Sequence, residues 1–274
     1  MLSYQHAYHA GNIADCHKHM LLLSILRALQ AAHGTPLTYM ETHAGRGLYH
    51  INSPEALKTG EAQHGIHRLF SSKKPLNWAA DYLAQVRKAG VQMYPGSPLL
   101  AANVLRQNDS IALHELHPRE HLALSRVFAK DARVSIEQID GYTGVLHLAK
   151  GQSKRHGVVL IDPSYEVKTE YADVAAFVPK LQALWPLVTI VVWYPLLPAG
   201  NHVPLKEALL KLPNQQLGHW HDELIFADRA TTRGMHGTAL HVLNAPAGWA
   251  ESVADLTLAM QVFWRVTNTT KPAT

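Results

Sequence analysis

Short apolar runs alternate along this chain with segments of helical periodicity. The apolar runs, several rich in β-branched residues, predict strands at 37–41, 110–115, 133–138, 157–162 and 188–193, within 215–226, and at 238–243. Apolar residues at helical spacing predict helices at 15–33, 77–89, 97–105, 119–128, 171–184 and 205–211. Such alternation is typical of an α/β fold in which helices cover both faces of a mostly parallel sheet.

One apolar stretch, 181–205, contains no Asp, Glu, Lys or Arg and has the length of a membrane-spanning helix. Four prolines interrupt it, and its segment 188–193 is rich in β-branched residues. We therefore predict a buried strand there and no membrane span. The first twenty residues lack the apolar core of a secretory signal, so a cytoplasmic protein is expected.

Four of the first five predicted strands end in or beside an acidic residue: Glu41, Glu115, Asp140 and Asp162. In an open α/β sheet, ligands bind outside the carboxyl ends of the strands, so these carboxylates are predicted to face one crevice. Any one of them alone is equally compatible with a turn or a helix cap. Four in succession favour a binding site.

The spacing of these acidic residues predicts an insertion. The interval from Glu41 to Glu115 is about three times as long as the later intervals, so ~45 extra residues must follow the first βα turn. We place them at 49–94, as a small helical subdomain in which Lys, Arg and His outnumber Asp and Glu. This composition suits contact with a phosphate backbone, and it equally suits an ordinary solvated surface.

The turn after the first strand, Glu41-Thr-His-Ala-Gly45-Arg-Gly47, has two glycines that permit a sharp turn and close approach to a ligand. It lacks the third glycine of a dinucleotide fingerprint, and no Walker lysine motif occurs in the chain. These absences disfavour dinucleotide and nucleoside-triphosphate sites.

The most specific chemistry follows the strand 157–162, where the sequence reads Asp162-Pro163-Ser164-Tyr165. Amino-methylating enzymes carry (D/N)-P-P-(Y/F/W) at this place. An exocyclic amine such as adenine N6 is a poor nucleophile, and a carboxylate with an adjacent carbonyl can accept its hydrogens and orient its lone pair. The aromatic residue offers a face for stacking a flipped base. The alternative is a strand-ending turn with a packed tyrosine.

Composition permits some classes of partner and excludes some classes of site. The 274 residues are 47% apolar and 17% charged, which is typical of a globular protein, and the net charge of +4 permits a polyanionic partner. The single cysteine, Cys16, excludes an internal disulfide and a zinc site of several thiolates. The histidine pairs His6/His9 and His114/His117 do not match metal-binding motifs, so no metal is expected.

An ordered set of motifs, taken together, resembles the bacterial 23S ribosomal RNA adenine-N6 methyltransferase family, RlmJ, over nearly the whole chain. The motifs are Met1-Leu-Ser-Tyr4, His9-Ala-Gly-Asn12, Ala14-Asp15, Lys18-His19, Thr42-His-Ala-Gly45, Tyr94-Pro-Gly-Ser97-Pro98, Glu115-Leu-His-Pro118, Asp140-Gly141, Leu160-Ile-Asp-Pro163 and Trp193-Tyr-Pro195. The resemblance implies a Rossmann-like, S-adenosylmethionine-dependent methyltransferase fold with an inserted helical subdomain, acting as a monomer on 23S ribosomal RNA.

The resemblance also implies roles for individual residues. The cofactor contacts fall on His19, His43, Ser97, Glu115, Asp140, Gly141 and Asp162. Glu115 would hold the ribose hydroxyls, Asp140 and Gly141 would lie beside the adenine ring, and Lys18 would reach the methionine carboxylate. Asp162 and the Pro163 carbonyl would orient the target amine, Tyr165 would stack on the base, and Tyr4 would contact the RNA.

One position departs from the family pattern. Ser164 stands where the family has a second proline, which makes the loop less rigid and adds a hydroxyl. The Asp162 side chain and the Pro163 carbonyl are retained, so activity is expected. Two alternatives stay open: an adenine methyltransferase that acts on DNA, and a catalytically silent RNA-binding or assembly protein.

Overall fold

The computed structural model describes residues 5–213 and 218–265. Its strands are β1 (Thr38–Glu41), β2 (Leu48–His50), β3 (Met93–Pro95), β4 (Ser110–His114), β5 (Val134–Glu137), β6 (Gly157–Ile161), β7 (Val188–Leu196), β8 (His219–Ile225) and β9 (Gly237–Leu243). All except β2 and β3 form one sheet in the order β5-β4-β1-β6-β7-β9-β8. Neighbours from β5 to β7 are parallel, whereas β9 is antiparallel to β7 and β8. The predicted α/β fold is confirmed.

The charge-free stretch 181–205 contains β7, as predicted, but this strand extends beyond 193 and includes Pro195. Proline is tolerated there because β6 pairs with β7 only as far as Val192, so Pro195 needs no hydrogen bond toward that neighbour. Within the described ranges, no helix has both the length and the apolar character needed to cross a membrane.

The helices are α1 (Ile13–Ala32), α2 (Pro54–Thr59), α3 (Ile66–Phe70), α4 (Ala80–Lys88), α5 (Ser97–Val104), α6 (Pro118–Val127), α7 (Gly141–Ala149), α8 (Glu170–Leu184), α9 (Val203–Leu210), α10 (Trp249–Ser252) and α11 (Ala254–Phe263). The sequence pattern missed α7, because its two glycines lower its helix propensity. Both glycines are required by packing: a Cβ at Gly141 would overlap the Thr42 carbonyl oxygen, and one at Gly144 would overlap the His114 ring.

Apolar residues of the sheet alternate between two buried layers. Tyr39 and Leu160 belong to the layer that contains α1 and α5, whereas Met40 and Val159 belong to the layer that contains α7 and α8. This follows from strand geometry, because successive side chains point to opposite faces. Loops at the carboxyl ends of the parallel strands are left between these layers, where they form a cleft.

The segment predicted as an insertion leaves and rejoins the domain through an antiparallel ribbon. β2 pairs with β3, with Tyr49 opposite Tyr94, and α2, α3 and α4 lie between them. Tyr94 and Tyr82 of this segment join their hydroxyls at 2.9 Å, and the Tyr94 hydroxyl is also 2.8 Å from His19 Nδ1 of α1. The segment is therefore packed against the main domain through buried polar contacts as well as apolar ones.

Candidate functional site

A cleft of about 1070 Å³ lies at the carboxyl ends of β1, β4 and β6. Its lining contains every predicted site residue that the structure describes: Lys18, His19, His43, Ser97, Glu115, Asp140, Gly141, Asp162, Pro163 and Tyr165. Tyr4, predicted to contact RNA, lies outside the described residues. Segments far apart in sequence thus meet here because parallel strands bring their carboxyl ends to one edge of the sheet.

The prediction that all four strand-end carboxylates face the crevice is wrong for Glu41. Glu115, Asp140 and Asp162 line the cleft, but Glu41 is fully buried beneath it. Its carboxylate accepts hydrogen bonds from the Tyr39 hydroxyl at 2.6 Å and the Ser97 hydroxyl at 2.8 Å. Burial raises the pKa of Glu41 to about 8, although these two hydrogen bonds lower it.

Asp162 begins the loop after β6 and forms a buried ion pair with Lys18. The Lys18 ammonium is 2.6 Å from Asp162 Oδ2 and 3.1 Å from Asp15 Oδ1. Burial alone would lower the pKa of Lys18, but the two carboxylates raise it above its ordinary value. The ammonium is thus held between two aspartates, and its contact with the methionine carboxylate stays a prediction.

Asp15 also contacts His6, which sequence reasoning had considered only as half of a metal-binding pair. His6 Nε2 lies 2.9 Å from Asp15 Oδ2, and the Gly11 amide donates to the same oxygen at 2.9 Å. Burial would raise the pKa of Asp15, but His6 and Lys18 hold it well below its usual range. No cluster of three or more metal-ligating side chains occurs in the described part of the chain.

Tyr165, predicted to stack on the base, is in the cleft lining, but most of its side chain is packed inside the protein. It is only 5% exposed, its hydroxyl donates to the Trp193 carbonyl at 2.7 Å, and its ring packs against Tyr171 with a centroid separation of 4.5 Å. Its backbone has a φ of 55°, in the left-handed region that a non-glycine residue rarely adopts. The half-buried Trp193 also lines the cleft, with Lys18 Nζ 5.3 Å from its ring centroid.

Ser164, the departure from the family pattern, makes hydrogen bonds within and beyond the loop that follows β6. Its hydroxyl donates to Glu170 Oε2 at 3.2 Å and accepts from the Glu166 amide at 3.3 Å. Glu170 lies in the first turn of α8, and burial raises its pKa. Hydrogen bonds thus supply part of the rigidity that a second proline would have given this loop.

The other half of the cleft combines the carboxylates of Glu115 and Asp140 with two buried histidines. Glu115 accepts from the Gly45 amide at 2.8 Å and the His117 amide at 2.7 Å. Burial raises the pKa of Glu115, opposed by those two bonds. Burial lowers the pKa of His19 to about 3 and that of His43 to about 4, so both imidazoles are neutral at pH 7. Asp140 caps α7 through the Thr143 amide at 2.8 Å.

The basic character of the inserted segment is partly used for packing. The guanidinium of Arg68 donates to the Phe263 carbonyl at 2.7 Å, and that of Arg87 lies 5.2 Å from the Phe70 ring centroid. Lys73 and Lys74, between α3 and α4, are exposed. The segment therefore has cations on its surface in addition to those that hold it together.

Comparison with known proteins is consistent with this arrangement. A family model described as "Ribosomal RNA large subunit methyltransferase D, RlmJ" matches residues 34–262. A relative from Escherichia coli K12 named Ribosomal RNA large subunit methyltransferase J is 37% identical over 199 residues, covering 71% of this chain and 70% of its own. A relative of the same name from Haemophilus influenzae is 33% identical over 251 residues, covering 90% of this chain and 88% of its own.

A solved structure shows the same fold over nearly the same length. The crystal structure of protein LPL1258 from Legionella pneumophila superposes with a TM-score of 0.83 at 26% identity, covering 93% of this chain and 94% of that one. The matches therefore extend across both the sheet and the inserted segment.

Proposed function

This chain belongs to the RlmJ family of ribosomal RNA large subunit methyltransferases, and we propose that it methylates N6 of an adenine in 23S ribosomal RNA, with S-adenosylmethionine as donor. The observation that carries this proposal is the Asp162-Pro163 turn, which opens into a cleft also lined by Glu115 and Asp140. A target amine and a nucleoside-bearing cofactor require such acceptors close together.

The donor set fits S-adenosylmethionine. Glu115 is the carboxylate for the ribose hydroxyls, and the missing side chain at Gly141 keeps the α7 N-terminus close to Thr42 beside the adenine position. His19, His43 and Ser97 complete the proposed cofactor surface. The bound cofactor supplies an electrophilic methyl group on a cationic sulfur, so the protein has mainly to bind and orient the reactants.

Asp162 and Pro163 prepare the amine. Lys18 occupies Asp162 Oδ2, and we assign the other carboxylate oxygen to one N6 hydrogen and the Pro163 carbonyl to the second. This arrangement directs the nitrogen lone pair toward the methyl group. As the N–C bond forms and the S–C bond breaks, S-adenosylhomocysteine leaves and one N6 proton passes to Asp162 or to water.

The RNA must deliver a flipped base to this position. Trp193 is one of the aromatic residues that line the cleft, and we assign its ring to the base, whereas Tyr165 must leave its bond to the Trp193 carbonyl before it can stack on a base. We assign the phosphate backbone to the inserted segment with its exposed cations, and a further RNA contact to Tyr4.

The test is methyl transfer from labelled S-adenosylmethionine to unmodified 23S ribosomal RNA, with nucleoside mass spectrometry of the product. We expect N6-methyladenosine from the natural chain and at least a hundredfold loss of kcat in Asp162→Ala, since removing a group that orients the reacting atoms costs about 10²–10³ in rate. Asp173→Ala, an exposed aspartate at the cleft rim, is the matched control.

Three results would contradict the proposal. Preferential methylation of duplex DNA in a competition assay would assign the reaction to DNA. Cofactor binding without product on any RNA would indicate a silent RNA-binding protein. Equal activity of Asp162→Ala and Asp173→Ala would remove Asp162 from the reaction.

A further inference from the structure

We propose that Glu61, in the inserted segment, is a positioning residue that couples this segment to the catalytic pair Lys18 and Asp162. The inference rests on the proposed function, because it assigns the segment to RNA and the pair to methyl transfer. The inference adds a chain of contacts that joins the inserted segment to this pair. Glu61 lies in a short 3₁₀ turn after α2 and reaches the mouth of the cleft.

Glu61 uses both carboxylate oxygens to hold the segment that precedes α1. Oε1 lies 2.8 Å from His9 Nδ1, and Oε2 accepts from Asn12 Nδ2 at 2.9 Å. The hydrogen bond with Glu61 raises the pKa of His9, although burial opposes it. Burial would raise the pKa of Glu61, but its bonds to His9 and Asn12 lower it. The charged forms of Glu61 and His9 therefore stabilise each other.

Asn12 carries the connection into α1. Its side-chain oxygen caps the helix by accepting from the Asp15 amide at 2.8 Å, while its amide group donates to Glu61. Asp15 Oδ1 is 3.1 Å from Lys18 Nζ, which is 2.6 Å from Asp162. Each step from Glu61 to Asp162 is therefore a direct contact between side chains or a helix cap, and Asn12 is held from both ends.

Close backbone contacts near Glu61 fix the inserted segment against the residues that precede α1. The Ile66 amide donates to the Gly11 carbonyl at 2.9 Å, and a Cβ at Gly65 would overlap the backbone of Gly11 and Asn12. Gly11 has a φ of 80°, a left-handed conformation that favours glycine. A shift of the inserted segment is consequently transmitted to the start of α1.

Loss of the Glu61 carboxylate is expected to slow methyl transfer. Without the Glu61 carboxylate, the Asn12 amide loses its acceptor and the cap of α1 is no longer fixed in orientation. Asp15 and Lys18, on the first turns of that helix, then hold Asp162 less firmly. We expect a slower methyl-transfer step with a smaller change in cofactor affinity, since Glu115, Asp140 and Gly141, assigned to the ribose and adenine, lie on other elements, whereas His19 belongs to α1.

The experiment compares Glu61→Ala, Glu61→Gln and the matched control Glu55→Gln, which removes a negative charge from the same segment at a solvated carboxylate. Single-turnover methyl transfer to 23S ribosomal RNA gives the rate, calorimetry with S-adenosylhomocysteine gives cofactor affinity, and thermal unfolding reports the folded fraction. Lysine acetylation followed by mass spectrometry measures the accessibility of Lys18, which is 4% exposed, without any need for activity.

For Glu61→Ala we expect about a tenfold lower rate, the worth of one hydrogen bond to a charged group. Cofactor affinity should fall by less than the rate, and Lys18 acetylation should be faster. Glu61→Gln should recover most of the rate, because its amide oxygen can still accept from Asn12. A rate and Lys18 labelling equal to those of Glu55→Gln, or a rate loss fully explained by unfolding, would overturn the inference. If Lys18 is acetylated faster in Glu61→Ala but the natural chain transfers no methyl group, only the proposed function is overturned.

Discussion

Replacing Glu41 by glutamine is expected to remove a pH dependence from the stability of this protein. Glu41 lies fully buried under the cleft, and its pKa of about 8 compares with an ordinary value of 4.5. Between these two pH values the folded chain keeps a proton on Glu41 that the unfolded chain releases. The free energy of unfolding contributed by this group therefore falls as pH rises through that window.

The size of the effect follows from the same two values. At 1.36 kcal/mol for each pKa unit, the ionised carboxylate costs the folded state about 4 to 5 kcal/mol above pH 8, relative to pH 4.5. Glutamine has no charge to bury, and its amide can still bond the Tyr39 and Ser97 hydroxyls. Glu41→Gln should be close to the natural chain in stability at pH 5 and more stable than it at pH 8.5.

Urea unfolding followed by tryptophan fluorescence at several pH values between 5 and 8.5 measures this difference. Subtracting the unfolding free energy of the variant from that of the natural chain at each pH cancels the contributions of the other titrating groups. Tyr39→Phe is the control that keeps the carboxyl: because the Tyr39 hydrogen bond lowers the pKa of Glu41, its loss should extend the pH dependence to higher pH. A difference between natural chain and Glu41→Gln that stays constant with pH would refute the reasoning.

Three further substitutions test the loop, the cofactor side and the inserted segment. Ser164→Pro should retain equal or higher methyl-transfer activity, since the lost bond to Glu170 costs about 1 kcal/mol and proline returns about 0.4–1 kcal/mol through the unfolded chain; an inactive variant in the transfer assay would contradict this placement of the loop. Gly141→Ala should abolish S-adenosylhomocysteine binding in calorimetry and lower the melting temperature, because the new methyl group overlaps the Thr42 carbonyl; tight binding would show that the contact yields easily. Lys73→Glu should raise the KM for RNA and reduce the slope of log affinity against log salt by about 1; an unchanged slope would take this residue out of the RNA contact.

The cleft was predictable to the extent that it depends on strand ends. Asp162, Glu115 and Asp140 follow parallel strands, and such strands deliver their carboxyl ends to one edge whatever their distance in sequence. Glu41 was the exception, because strand alternation places it on the same face as Tyr39, where α1 and α5 cover it. The sequence marks the end of the strand but does not say which way its last side chain points.

The partners of the catalytic residues were not predictable in the same way. Lys18 was expected at the cofactor, and in the structure it lies between Asp15 and Asp162, which are separated by more than half the chain. Tyr165 was expected at the base, and its ring packs against Tyr171 while its hydroxyl donates to the Trp193 carbonyl. Both outcomes depend on distant elements meeting, and local pattern carries no information about such contacts.

From the sequence alone, periodicity determined the α/β class and most of the sheet strands, spacing predicted an inserted segment, and the Asp162 motif indicated the chemistry to look for. These properties are local, since each is fixed by the alternation or spacing of neighbouring residues. Only the tertiary structure decided the ion pair of Lys18, the burial of Glu41 and the contact of Glu61 with Asn12. The physical reason is that side chains become buried only after remote segments have packed together. Burial then shifts their pKa values and limits their hydrogen-bond partners.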